Sequence, residues 1–98
     1  MAIPLSGTTD VQTAGTRVQV NNTTRRILSI TFRGRKGNAG NVYVGDSTVS
    51  STAGFELDAG AAITFDFAAA QVSGRMSDFY VDAATNGDDV DWAAILWP

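Results

Sequence analysis

The 98-residue chain contains neither cysteine nor histidine. Without cysteine there are no disulfides, no thiolate nucleophile and no thiolate metal site. Without histidine there is no Ser-His-Asp or Cys-His system, no imidazole ligand and no imidazole acid-base catalysis. No Gly-Lys-Ser/Thr phosphate loop or dinucleotide fingerprint is present either. Helical periodicity is almost absent: residues 68–72 could make one turn before Gly74, and nothing longer repeats every 3.6 residues. No apolar run approaches the roughly 18 to 20 residues of a membrane-spanning helix, and the N-terminus lacks the basic and apolar regions of a signal peptide. The expectation is a soluble chain with no export signal and no membrane partner. No cofactor and no metal are expected, and the chain is read as not an enzyme.

What is present is strand patterning. Val18 and Val20 alternate with Arg17, Gln19 and Asn21; Leu28, Ile30 and Phe32 alternate with Ile27, Ser29, Thr31 and Arg33. Val42 and Val44 flank Tyr43; Ile63, Phe65 and Phe67 alternate with Thr64 and Asp66; Phe79 and Val81 alternate with Asp78, Tyr80 and Asp82. In the last run, residues 90–97, Val90, Trp92, Ala94 and Leu96 share one face, and Asp91, Ala93, Ile95 and Trp97 the other. Beyond Trp92 that run is apolar on both faces, as a central or interface strand is. Glycine-rich reversals separate the runs at Gly34-Arg35-Lys36-Gly37-Asn38-Ala39-Gly40, Asp58-Ala59-Gly60 and Asn86-Gly87-Asp88-Asp89. Seven or eight short strands in one domain indicate an all-β sandwich, jelly-roll-like or immunoglobulin-like, with residues 1–16 as an N-terminal arm or edge strand and residues 17–98 as the sandwich.

Charge is distributed unevenly. Residues 1–49 carry six basic side chains against two acids, a net +4, whereas residues 50–98 carry Arg75 alone against eight acids, a net −7. That asymmetry fits either complementary surfaces between subunits or strands from both halves interleaved in one sandwich. The acidic run Asp88, Asp89, Asp91 lacks the ligand series and closing glutamate of a calcium loop and reads as a solvated turn. Asp66 and Asp82 fall on polar strand faces, where exposed aspartates are ordinary. The basic cluster Arg33, Arg35 and Lys36 raises nucleic-acid binding, but the overall charge is acidic and the aromatics sit in core phase. An acidic protein surface is the better match, and nucleic acid is not the expected partner. The apolar start Ile3, Pro4, Leu5 and the near-terminal Trp97 complete the candidate protein-interface residues. A carbohydrate- or receptor-binding sandwich would have to use Tyr43, Tyr80 and Trp97.

The run Asn41-Val42-Tyr43-Val44-Gly45-Asp46-Ser47-Thr48-Val49, then Gly54-Phe55-Glu56-Leu57-Asp58-Ala59-Gly60, an Ile-Thr-Phe strand and the later Asp78-Phe79-Tyr80-Val81-Asp82, resembles small structural proteins encoded by tailed bacteriophages. The resemblance spans about residues 26–96; the insert at residues 68–70 and the basic loop depart from the pattern. It implies a virion component made in the host cytoplasm, of the head decoration (cement) type. Such a protein binds the major capsid protein on the outer capsid surface, often as a homotrimer. A tail, neck or fibre-associated module is the alternative. It implies no catalytic or binding residues.

Overall fold

Alternation of apolar and polar residues decides which segments pair and which side each turns inward. In a computed structural model of the chain, residues 3–67 and 74–97 are described. They form β1 (Ile3–Val11), β2 (Val18–Gln19), β3 (Arg26–Gly34), β4 (Val42–Gly45), β5 (Phe55–Leu57), β6 (Ala62–Asp66), β7 (Gly74–Arg75), a 3-10 turn at Met76–Asp78, β8 (Tyr80–Ala83) and β9 (Asp88–Leu96). The single helical turn expected at residues 68–72 lies outside the described residues.

The strands make two antiparallel sheets. One has the order β1-β9-β3-β6, with β7 pairing the start of β3; the other has the order β2-β8-β4-β5. From β1 to β4 the chain changes sheet at every connection, and only β4 and β5 are neighbours both in sequence and in their sheet. This is the jelly-roll winding, with the first and last strands side by side, and it decides against the immunoglobulin-like alternative. Residues 3–11 are part of the sandwich as the edge strand β1, paired with β9 from Ile3↔Leu96 to Val11↔Asp88.

The core lies between the sheets. Ile27, Ile30 and Phe32 of β3 and Val90, Trp92, Ala94 and Leu96 of β9 face Val42 and Val44 of β4 and Val81 of β8. Expectation and structure differ in β3, where Leu28 was placed on the core face and Ile27 opposite it. The ladder to β9 slips between Ile27 and Ser29, and this bulge turns Ile27 fully inward and leaves Leu28 half-buried. One extra residue on one strand changes the facing of everything before it.

Phe32 is fully buried and meets Phe65 at 6.0 Å and Phe79 at 5.3 Å between ring centroids. From there an aromatic chain runs outward, Phe67 against Phe79 and Phe55 against Phe65. At the other side of the core Trp92 packs over Gly7, where a Cβ would fall 2.7 Å from the indole. Its Nε1 donates to Thr9 Oγ1 at 3.1 Å, and that hydroxyl donates to Val20 O at 3.2 Å. One buried relay thus ties β9, β1 and the end of β2, and satisfies the polar tip of an otherwise apolar side chain.

Candidate interaction surface

The two sheets differ in how much of their outer side is free. Over the second sheet, the loop of residues 12–17 is held down by Gly15 N–H donating to Asp82 at 3.0 Å and by Ala14 N–H donating to Asn86 at 2.7 Å. The outer face of the first sheet has no such covering hydrogen bond among the described residues. Its cross-strand rows follow from the register. Pro4, Ile95, Ser29 and Asp66 form one row; Ser6, Ala93, Thr31 and Thr64 the next; Thr8, Asp91, Arg33 and Ala62 the third. Asp10 lies opposite Asp89 beyond them, and Trp97 follows Ile95 at the other end.

The face is therefore graded: at one end Pro4, Ile95 and Trp97 form an apolar cluster bordered by Asp66, Arg25 and Arg26, the middle is small and hydroxylated, and the far end carries paired charges. Ile95 and Trp97 are exposed, Trp97 by 47%. A shallow depression of about 550 Å³ is lined by Pro4, Ser6, Ser29, Thr31, Ala93 and Ile95. In the middle row Thr31 and Thr64 share a hydrogen bond of 2.8 Å between their hydroxyls. Such a pair stiffens the surface without raising it.

At the charged end, Arg33 Nη2 donates to Asp91 Oδ2 at 2.9 Å and Thr8 Oγ1 donates to Asp91 Oδ1 at 2.9 Å. Arg35 approaches Asp89 at 3.8 Å. Two of the six basic residues of the first half, Arg33 and Arg35, are thus met by acids of β9 within the same chain. Interleaved strands account for part of the charge asymmetry. Lys36 stands exposed beside them with no carboxylate within ion-pair distance among the described residues.

The hydrogen bond from Arg33, with that from Thr8, holds the Asp91 carboxyl below its ordinary range. Asp89 is pushed the other way, first by desolvation and then by Asp10 across the ladder. The signs give a pH prediction. A lowered folded-state pKa, as at Asp91, contributes stability above the unfolded value, near 3.8, that is lost as pH falls through the folded one. A raised one, as at Asp89, favours the fold below that value and loses the benefit as pH climbs through the raised value. On acidification Asp89 should therefore take its proton before Asp91. Carboxyl-carbon NMR titration reads the order directly; Asp91 protonating before Asp89 would refute it.

Two aspartates depart from the expected solvated positions. Asp88 is 6% exposed and accepts Ala39 N–H at 3.0 Å and Gly40 N–H at 2.9 Å. Asp82, expected on an exposed polar face, is 2% exposed and accepts Gly15 and Ala83 N–H. Both clamp loops that would otherwise bury unpaired donors. Asn38 and Asp89 add a reciprocal pair, side-chain amide to carbonyl at 2.8 Å and N–H to side-chain oxygen at 2.9 Å. The basic loop between β3 and β4 is thus pinned to the start of β9.

Of the sequence-predicted interface residues, Pro4, Arg33 and Trp97 come together on this face, with Arg35 at its border. Leu5 is half-buried and packs against the core, and Ile3 shares its phase of β1 but is exposed at the strand's end. Tyr43 is buried and Tyr80 half-buried, so no three-aromatic platform for a glycan exists. Sequence reasoning put Ala93, Thr31 and Ile95 on the faces opposite the core but did not single them out as contact candidates, because small and apolar residues carry no chemical signal until the register aligns them. It also missed Phe55, which is in core phase with Leu57 yet is 54% exposed at the end of an edge strand.

Among the described residues no group of three or more Asp, Glu, His or Cys side chains could hold a metal ion. No protein-family model matches the chain, and no curated protein matches it. Among solved structures, the fold is similar to that of a protein from Bacillus endospore appendages, described as a family of disulfide-linked pili. The identity is 13%, with 98% of this chain and 87% of the other covered, at a TM-score of 0.53. At that identity the likeness is one of fold: both chains wind as small β proteins.

Proposed function

We propose that this chain is a non-enzymatic structural protein that works by surface contact, seating the outer face of its first sheet on a larger protein shell. The graded face running from Pro4 and Ile95 to Arg33 and Asp91, over which no loop among the described residues is hydrogen-bonded down, is the observation that carries the reading. A flat patch of small side chains lets a partner's backbone approach closely, and its charged end fixes the register of the contact. The run from Asn41 to Phe67, within the stretch that carries the phage resemblance, supplies β4 and β5 as scaffold and β6 as the edge strand of that face. The finer proposal is a head decoration protein of a tailed phage, bound to major capsid protein on the virion surface and self-associating, as a homotrimer, so that repeated weak contacts add avidity.

The test is stoichiometric binding of the purified protein to undecorated heads. Ala93→Arg, which plants a long cation in the middle of the face without touching the core, should abolish occupancy and leave the melting temperature unchanged. Wild-type occupancy by that variant would refute the assignment of the face.

The similarity to the Bacillus appendage protein favours a second reading, an appendage subunit. These 98 residues contain no cysteine, so a fibre built from them would hold by non-covalent contacts alone. Fibres formed by the isolated protein in electron micrographs would favour this second reading; binding to heads without fibres would favour the first.

A further inference from the structure

A second apolar feature lies away from the graded face, at the seam where the edge strand β5 of one sheet meets the edge strand β6 of the other. Phe55, Phe65 and Phe79 line it with Val44 and Val49, enclosing about 350 Å³. Phe65 and Phe79 stand 5.4 Å apart and Phe55 and Phe65 5.8 Å apart, leaving ring faces and edges open to the cleft. The cleft is kept open by Gly54, whose φ of +128° suits glycine and whose Cβ would fall 2.7 Å from Val49 and 2.9 Å from Val44 O. Its size is near the lower limit of ligand pockets, about 300 to 1,000 Å³, which is room for one large planar side chain. Its polar lining residues among those described are Asp46 and Thr48, and Thr48 donates both its hydroxyl and its N–H to the Asp46 carboxylate.

The same chain displays such a side chain elsewhere. Trp97 is 47% exposed, and its backbone is fixed at both polar groups: its N–H donates to Arg26 O at 2.9 Å and its carbonyl accepts Arg25 Nη2 at 2.8 Å. An indole presented on a pinned backbone loses little entropy on docking. The charges around the two features are opposite. Arg25 and Arg26 flank Trp97, Arg75 lies across the ladder from Arg26, all three are exposed, and among the described residues none is within ion-pair distance of a carboxylate. At the cleft, exposed Asp46 is a lining residue and exposed Asp78 precedes the lining Phe79, whereas Glu56 alternates away from Phe55 along β5 and accepts Asn41 Nδ2 at 2.8 Å. Asp46 is held ionised by the hydroxyl and N–H of Thr48, with a weaker contribution from Arg17.

We propose that the occupant of this cleft is a second copy of the chain, its Trp97 seated between Phe55, Phe65 and Phe79 and its Arg25, Arg26 and Arg75 facing the acids at the rim. Donor and acceptor patches differ, so the contact is heterologous. Contacts of this kind close into a ring, three copies at a rotation of 120°, or run on as a helix. The inference rests on the structural-protein reading and names the contact between its subunits.

The experiment uses two exposed-site variants, Trp97→Ala and Phe55→Asp, with sedimentation velocity as the readout and thermal melting as the check that each folds. Wild type should sediment as an oligomer and each variant as a monomer. An equimolar mixture should recover one intact contact, between Trp97 of the Phe55→Asp chain and the cleft of the Trp97→Ala chain, and so give a 1:1 heterodimer and nothing larger. Wild-type mass retained by either variant, a monomeric wild type, or a mixture that stays monomeric would each overturn the proposal. A monomeric wild type that still binds heads would overturn this contact and leave the shell-binding reading standing; an oligomer that binds neither heads nor fibres would do the reverse.

Discussion

Phe32→Ala is expected to lower the unfolding free energy by about 3 to 5 kcal/mol, the usual loss when a fully buried phenylalanine is cut to alanine. The ring is fully buried, contacts Phe65 and Phe79, and belongs to β3, which pairs with β9, β6 and β7. A cavity there removes transfer energy and also the edge contacts that hold Phe79, and with it β8, against the first sheet. Domains of this size hold about 5 to 15 kcal/mol in all, so the variant should be marginal at 25 °C. At about 4 to 8 °C per kcal/mol its melting temperature should fall by on the order of 12 to 40 °C. Denaturant melts measure the loss. Phe32→Leu, which keeps much of the volume, should recover a large part of it. A loss below about 1.5 kcal/mol, the level of a tolerated core swap, would mean Phe32 is not the junction described.

The second large effect is expected at a carboxylate. Asp88→Ala removes a buried carboxylate and leaves the part-buried N–H groups of Ala39 and Gly40 without their acceptor. Hydrogen bonds to a charged group contribute about 1.5 to 3 kcal/mol each, and two sharing one carboxylate fall short of additive, so about 3 kcal/mol is the expected total. Asp88→Asn, which keeps one acceptor, should lose less. Hydrogen exchange supplies a local readout: the amides of residues 39 and 40 should be protected in the wild type and exchange freely in the alanine variant. A stability change within about 0.5 kcal/mol, ordinary for an exposed site, would restore the solvated-turn reading.

The contrast between these two residues shows what the sequence made legible. Phe32 sits in a clean alternation, and period two, once seen, assigns its side. The same rule placed Trp92, Ile63 and Phe65 on the core side and Trp97 on the outer side. Asp88 follows Asn86-Gly87 in a run of acids, and in a linear reading such a run belongs to water. Its partners are backbone groups nearly fifty residues earlier, in a glycine-rich loop whose donors announce nothing by residue type. Leu28 failed for a different reason, since a bulge reverses facing without any marker in the side chains around it. The graded face was half visible. Arg33, Pro4 and Trp97 stand out by chemistry, while Ala93 and Thr31 become part of a surface only when the register of β3 against β9 puts them in one row.

The order β1-β9-β3-β6 also has a temporal meaning. β9 carries the last residues of the ladder and lies between two strands made much earlier, with Ile3 meeting Leu96. On a chain emerging from the ribosome, β1 has no partner in its own sheet until β9 is out, and β3 has only β6 and β7. The apolar sides of Ile27, Ile30 and Phe32 must wait, half covered, until β9 has been made. Closing loops of this length makes folding slow, in the millisecond-to-second range of β sandwiches, and leaves β1 as an unpaired strand during that interval. A chain wound this way completes its first sheet only once β9 is made, so the outer face of that sheet takes shape after every other described strand.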